Sequence, residues 1–431
     1  MRLSAVDVLI GAALLMLSAV ASLTQGRQGF TASLEHPAIR YYSGKFTDSV
    51  TALNEKLDGG SAHLAFTGDT GYLRSVLQSL DISTDSQVVV FSQTSRQQEL
   101  ISPHNPRAVY FNDNVAVGYV RGGDALEIAS QDPVRGVAFF TLKQSPEGAP
   151  RFERQRDCFQ CHISWDTYAV PGEFVLTTTP PPDKYGYATG GVVDDRTPLE
   201  ERWGGWYVTG KLGNNQSLAN RLPPDQGAAA PRATQGAAAP GATQGATRRV
   251  AGLESLKGQF DLAGYLAPHS DVAALMVLEH QTHVTNLLTY IGWESRIAGG
   301  DVSPAVRAIV PDLVDYLLFV DEAPLSGPIQ GSSRFAETFA AAGPRDARGR
   351  SLRQLDLETR LLRYPCSYMI YAPAFDALPG AVKRAIYQRM SDILSGKDTK
   401  AEYKRLSQAD RQALIEILRE TKHDLPASFG H

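Results

Sequence analysis

Residues 108–142 read AVYFNDNVAVGYVRGGDALEIASQDPVRGVAFFTL. Four short runs rich in Val, Tyr and Phe stand out: Ala108–Phe111, Val115–Val120, Ala125–Ile128 and Val137–Leu142. Asn, Asp, Gly and Pro separate them. Branched and aromatic side chains suit a pleated, half-buried surface, and the separators are the residues that reverse a chain. The pattern predicts antiparallel strands and hairpins. Asp113-Asn114 and Arg121-Gly122-Gly123-Asp124 are the expected turns. Gln87–Phe91 is a further run upstream. Phe174–Thr178 is another downstream, stopped by Thr179-Pro180-Pro181-Pro182-Asp183. Before the strands, residues 47–57 and 72–80 have helical spacing, with Thr47 or Asp48 available to cap the first.

From about residue 250 the apolar period lengthens to that of helices. Ser270 or Asp271 can cap a helix running to about Ile297, with Gly299-Gly300 beyond it. Ala305–Leu318 is a second, bent or interrupted near Pro311. Arg350–Arg363, Val382–Leu394 and Gln408–Thr421 follow, the last capped by Ser407. The expectation is an α+β protein: a β-rich N-terminal region, residues 28–220, then a mainly helical region, residues 250–431. Between them, residues 225–246 repeat a Gly-Ala-Ala-Ala-Pro and Ala-Thr-Gln-Gly unit. Such small residues have little to bury, so this insertion reads as a linker without function.

The chain has 431 residues, 43% apolar and 20% charged, with a formal charge of -4. That composition is globular, and it lacks the basic surplus of a nucleic-acid surface. Met1-Arg2, the apolar run Val6–Val20 and the small-residue site Ala19-Val20-Ala21 read as a secretory signal peptide, residues 1–21. An uncleaved anchor is the alternative, although Asp7 would be costly in lipid. Either way the folded body is expected in the periplasm or otherwise outside the cytoplasm. The three cysteines are too few for a disulfide framework, and Cys366 stands alone as a buried or free thiol.

The chemistry concentrates in Cys158-Phe159-Gln160-Cys161-His162. Two cysteines three positions apart, followed at once by histidine, match the signature for covalent haem attachment. The thiols would form thioethers with the porphyrin vinyl groups, and His162 would bind the iron. A structural cysteine pair, a thioredoxin-like pair and a zinc site are the competing readings. The last two need a βαβ junction or further ligands nearby. Downstream, the aromatic and glycine-rich stretch from Tyr185-Gly186-Tyr187 to Trp203-Gly204-Gly205-Trp206-Tyr207 is either a wall for a flat cofactor or a hairpin core.

A second group lies in the long helix. Met276, His280 and His283 can share a face, flanked by Glu279, with His269 near the helix start. This face is a candidate source of a sixth iron ligand or of distal acid–base groups. The alternatives are ordinary core residues or a separate metal site. Glu279-His280 lacks the zinc-protease order. Met369, Met390 and His104 are further ligand candidates. Methionine would raise the potential, a second histidine would lower it, and an open position would permit peroxide, oxygen or nitrogen-oxide chemistry. Catalysis would then call on His104, His280, His283 or Glu279 as proton acceptor and Arg202 to stabilise negative charge.

The attachment residues resemble those of c-type cytochromes. The strings from Asn105 to Asp113, from Arg202 to Gly210 and from His269 to Gln281 resemble a family of large exported bacterial monohaem proteins. In that family histidine and methionine follow the Trp-Gly-Gly-Trp string. This chain has Lys211-Leu212-Gly213-Asn214 there, so any ligand role is vacant or moved. The resemblance implies one covalent haem c and no particular activity. The expected function is single-electron transfer with an unidentified redox partner. A peroxidase-like or other oxidoreductase acting on a small-molecule oxidant is the alternative, and a haem sensor or accessory subunit of a respiratory complex is a third.

Overall fold

The computed structural model describes residues 29–178, 190–222 and 252–430. The apolar N-terminus, the proline run at 180–182, Tyr185–Tyr187 and the repeat at 225–246 lie outside them. Among the described residues, seven strands form one antiparallel sheet: β1 (Val88–Val90), β2 (Arg107–Phe111), β3 (Val115–Val120), β4 (Ala125–Asp132), β5 (Gly136–Lys143), β6 (Phe152–Arg154) and β9 (Trp206–Tyr207). Their order is β6-β5-β4-β3-β2-β1-β9. A separate two-stranded ribbon pairs β7 (Val175–Thr177) with β8 (Gly191–Val193). Helices dominate the C-terminal half, so the α+β expectation holds.

The four runs that open the sequence are β2 to β5. Val109 pairs with Gly118, Gly118 with Glu127, and Glu127 with Thr141. Because side chains alternate along a strand, this register divides the sheet. One face carries Ala108, Tyr110, Val117, Leu126, Ile128, Phe140 and Leu142, all buried. Helix α1 (Ser49–Asp58) joins this unit through Asn54, whose side chain bonds both the N–H and the C=O of Phe152. Asp48 caps it, as expected, and α2 (Leu73–Ser79) follows. The turn between β2 and β3 is one residue longer than expected. Asn112 begins it, and its side chain accepts from the N–H groups of Asn114 and Val115.

The short α3 (Phe159–His162) carries the cysteine motif. Helix α4 (Val272–Ile297) is the long helix expected from the sequence, capped by Asp271. Every residue of it except Glu294, Arg296 and Ile297 is buried. A helix buried on all sides belongs at the centre of a core. It crosses the second face of the sheet, where Gln131 meets Thr289 and Trp293 donates to the Val134 carbonyl. One hydrophobic cluster therefore runs from the sheet into the helical half.

Around α4 lie α5 (Pro304–Leu317), α6 (Phe335–Ala341), α7 (Pro373–Asp376), α8 (Gly380–Leu394) and α9 (Gln408–Thr421). Ser407 caps α9 with a reciprocal bond involving Asp410. One expectation narrows and one needs correction. Of an interruption or a bend at Pro311, the interruption is absent: helix α5 runs through it, and the carbonyl left unbonded there belongs to exposed Arg307, where water can satisfy it. Residues 350–363 are not helical. The Asp356 carboxylate accepts from the N–H groups of Glu358, Thr359 and Arg360, and Leu357 has φ 60°. A side chain that captures backbone donors in this way competes with a helix.

Candidate functional site

The motif forms one helical turn. The His162 N–H donates to the Cys158 carbonyl at 3.0 Å and the Cys161 N–H to the same carbonyl at 3.2 Å. The side chains of Cys158, Cys161 and His162 thus project at i, i+3 and i+4. Cys161 is exposed and Cys158 half-buried; neither is in a disulfide. Burial, aided by Asp157, pushes the Cys158 thiol up to about 11, so it is protonated at neutral pH. Phe159 fixes the turn by packing among Tyr41, Tyr42 and Phe139. Arg96, in the loop before β2, ties that loop to the motif through Gln155 and Asp157.

The His162 ring lies against Phe139, centroids 4.6 Å apart, and stacks on Phe174 at 5.2 Å. Its Nδ1 is 2.8 Å from the Gly172 carbonyl oxygen. A carbonyl only accepts, so Nδ1 carries the hydrogen and Nε2 keeps its lone pair. Burial also holds the ring's pKa below the ordinary value, which favours the neutral imidazole. The Gly172 N–H donates back to the His162 carbonyl at 3.0 Å. Behind Gly172 stands Asn286 of α4. Its side chain accepts from the Glu173 N–H at 3.0 Å and donates to the Glu173 carbonyl at 2.7 Å. A Cβ at residue 172 would lie 2.2 Å from the Asn286 Oδ1, so only glycine fits.

Beside the motif, part of the second sheet face is not covered by α4. Its rows carry Val109, Ala116, Gly118, Ala129 and Thr141, small side chains that are half-buried apart from the buried Gly118. Arg107 and Glu127 stand on the same face as a loose ion pair at 3.4 Å. The Glu127 carboxylate also accepts from Ser95 Oγ at 2.8 and 3.0 Å. Both charges are close enough to His162 to bias its titration. Trp165, just beyond the motif, is 72% exposed.

The Trp-Gly-Gly-Trp stretch divides. Trp203 is core and donates from Nε1 to Glu279 Oε2 at 3.1 Å. Trp206 sits in β9 and donates to the Leu176 carbonyl. Gly204 is required by Thr178, whose carbonyl oxygen would lie 1.9 Å from an added Cβ. These residues pack protein against protein.

The helix face at 279–283 is sealed. Glu279 pairs with buried Arg202; burial pushes its carboxyl up to about 7, with Arg202 and Trp203 opposing. The His280 Nε2 is 2.8 Å from Ser367 Oγ and its Nδ1 faces Asp195 at 3.5 Å. Its ring is stacked with Tyr316 and Phe319. Serine, histidine and aspartate here repeat the arrangement of a hydrolytic triad, but all three are buried, so no substrate reaches them. The Asp195 oxygens and the His280 Nδ1 lack close hydrogen-bond partners. Even so, burial raises the Asp195 carboxyl less than His280, Tyr316 and Arg202 together lower it. His283 faces Asp194 with Nδ1 at 3.5 Å and the Tyr168 hydroxyl with Nε2 at 3.4 Å. Burial drives its pKa down to about 4. Each ring thus has both nitrogens directed at protein partners.

The remaining candidates are scattered. Met276, Met369 and Met390 are buried in the core, as is Cys366, whose thiol burial pushes up to about 12. His104 is exposed in the loop before β2. His269 is half-buried at the start of α4, and its backbone carbonyl accepts from Gln87. Among the described residues no three His, Cys, Asp or Glu side chains are grouped to hold a metal ion by themselves. No described helix is long and apolar enough to cross a membrane. Comparison with protein-family models, curated proteins and solved structures finds no match. No sequence signal marks Gly172, Asn286, Arg107 or Glu127 as part of the site. They carry no motif and meet the His162 region only through tertiary contacts.

Proposed function

We propose that this chain is an exported monohaem c-type cytochrome, with one haem linked through Cys158 and Cys161 and bound to iron by His162 Nε2. The observation that carries the reading is the bond from His162 Nδ1 to the Gly172 carbonyl, on a turn that presents two free thiols. Iron-bound histidine characteristically donates its other nitrogen to a carbonyl or carboxylate, which orients the ring and strengthens it as a ligand. The bound iron porphyrin would supply a one-electron couple. The protein's own part is to orient His162, to shield it between Phe139 and Phe174, and to exclude water from the imidazole. The apolar N-terminal run supports export, and a redox partner or small oxidant outside the cytoplasm would exchange the electron.

A second reading, an oxidoreductase with an open sixth position, is favoured by one observation. His280 and His283 direct both ring nitrogens at protein partners. The test is protein matured in a host with the attachment machinery. Its mass should exceed the peptide by one haem, and Cys158→Ser with Cys161→Ser should abolish the increment. The bare peptide mass in the unaltered protein would refute the proposal. The spin state of the oxidised iron then separates the readings: low spin indicates a sixth protein ligand and carriage, and high spin an open position.

A further inference from the structure

The attachment motif says where the thioethers form and leaves the rest of the porphyrin without a seat. We infer that the uncovered part of the sheet face beside His162 is that seat, with Arg107 binding a haem propionate. The inference rests on the haem reading above.

Three observations point to it. First, Val109, Ala116, Gly118, Ala129 and Thr141 are small residues on four neighbouring strands, with Glu127 as the β4 member of the row from Val109 through Gly118 to Thr141. Glycine inside a strand leaves room for close approach by another group. At Gly118 the atoms nearest to an added Cβ belong to Glu127 and Arg107, at 3.5 Å or more. Second, Arg107 stands on this face with donors to spare. Its Nε has no hydrogen-bond partner although protein atoms cover it, so the side chain must turn to offer it to a ligand, and its contact to Glu127 is long at 3.4 Å. Glu127 takes its closer bonds from Ser95. A guanidinium with an idle edge is a ready fork for a carboxylate. Third, the other cations near the motif are committed. Arg154 lies over Phe46 and donates to the Tyr41 carbonyl, and Arg156 lies over Tyr42. Arg96 is held by Asp157, directly beside Cys158. Propionates occupy the porphyrin edge opposite the thioether carbons, so a cation beside Cys158 is on the wrong edge.

Two experiments on the full chain test this. In the haem-loaded protein, Arg107→Gln should leave the mass increment of one haem intact and lower the reduction potential. Arg107→Lys should restore part of that shift, and Arg96→Gln should produce less of it. The second uses the Cys158→Ala, Cys161→Ala protein, its fold checked by circular dichroism, titrated with haemin and with haemin dimethyl ester. With Arg107 present the free acid should bind about tenfold tighter than the ester or better, and Arg107→Gln should erase the preference. Equal binding of acid and ester overturns the propionate assignment. Equal binding together with an Arg107-dependent spectral response to nitrite would assign Arg107 to a free oxyanion instead. A bare peptide mass for the matured protein is a different failure, because it removes the haem reading itself.

Discussion

Arg202 and Glu279 offered themselves from the sequence as distal groups, yet they form a buried ion pair, and the two roles predict different energetics. The side chains are 2% and 0% exposed. Glu279 also accepts from Trp203 Nε1. Arg202 also donates from Nε to the Thr197 carbonyl at 2.6 Å and from a terminal nitrogen to the Asp195 carbonyl at 2.9 Å. Arg202→Met strands the carboxylate and both carbonyls. Breaking a buried pair costs roughly 3–5 kcal/mol, and each carbonyl left unsatisfied adds about 1 kcal/mol. Glu279→Gln keeps an acceptor for Trp203 and, because burial holds the Glu279 carboxyl at about 7, resembles its protonated form at neutral pH, so it should cost only about 1 kcal/mol. In the double variant no charge of the pair remains buried, so only the two carbonyls should count, about 2 kcal/mol. The double variant should therefore be more stable than Arg202→Met alone. Urea unfolding at neutral pH, followed by tryptophan fluorescence, measures all three. Costs that simply add within about 0.5 kcal/mol would refute the coupled pair. An Arg202→Met protein of unaltered stability with changed haem chemistry would restore the distal role.

Two buried groups give opposing pH dependences. Glu279 has its carboxyl raised from 4.5 to about 7, so its stabilising contribution is complete below pH 4.5 and lost as pH rises through 7. His283 is lowered from 6.5 to about 4, so its contribution is complete above pH 6.5 and lost as pH falls towards 4. Each amounts to about 3 kcal/mol across its window, and between pH 4.5 and 6.5 they offset one another. Relative to the unaltered protein, Glu279→Gln should steepen the loss of stability on acidification there and His283→Gln should lessen it; urea midpoints at the two pH values check both. Asn286→Ala leaves the Glu173 N–H and C=O without partners, costing about 3 kcal/mol, and in the haem-loaded protein it should shift the reduction potential, with Asn286→Asp intermediate. Asp271→Ala removes the cap of α4 and the acceptor for the Ser332 and Ser333 N–H groups and the Ser333 hydroxyl; a loss of more than about 3 kcal/mol in urea unfolding is expected.

Strand runs and helix caps were legible because their causes are local. Val115–Val120 and Gln408–Thr421 have the boundaries their residues announced, since alternation and a Ser407 cap act within a few positions. The helix expected at 350–363 failed for a local reason as well. Asp356 does not interrupt the helical period of its neighbours, and only geometry reveals the three N–H groups it captures. Strands β6, β8 and β9 are three residues or fewer, and a charged residue or glycine flanks each, whereas the equally short β1 and β7 sit inside the longer runs at 87–91 and 174–178. The histidine face was legible as a face. Its closure was not, because Asp194, Asp195, Tyr316 and Ser367 reach it from distant parts of the chain.

The same distinction bears on why a five-residue motif would need so large a protein around it. The motif supplies Cys158, Cys161 and His162, but nothing within it turns the imidazole. The Gly172 carbonyl does that, and the backbone after Gly172 is clamped at both its N–H and its C=O by Asn286. Asn286 belongs to a helix that is itself pinned at its start by Asp271, which also gathers the loop at 332–333. The orientation of His162 is therefore set by contacts far apart in sequence, closed only when the sheet and the helical half share their core. A fragment ending before residue 252 would keep both thiols and the histidine and lose the clamp. On the haem reading, such a fragment would keep the Gly172 carbonyl, Phe139 and Phe174 around the ring but lose the Asn286 clamp. Attachment would then proceed while the ligand field varied from molecule to molecule. A single sharp reduction potential in that fragment, equal to that of the full chain, would mean that the local turn alone sets His162 and that α4 has no part in it.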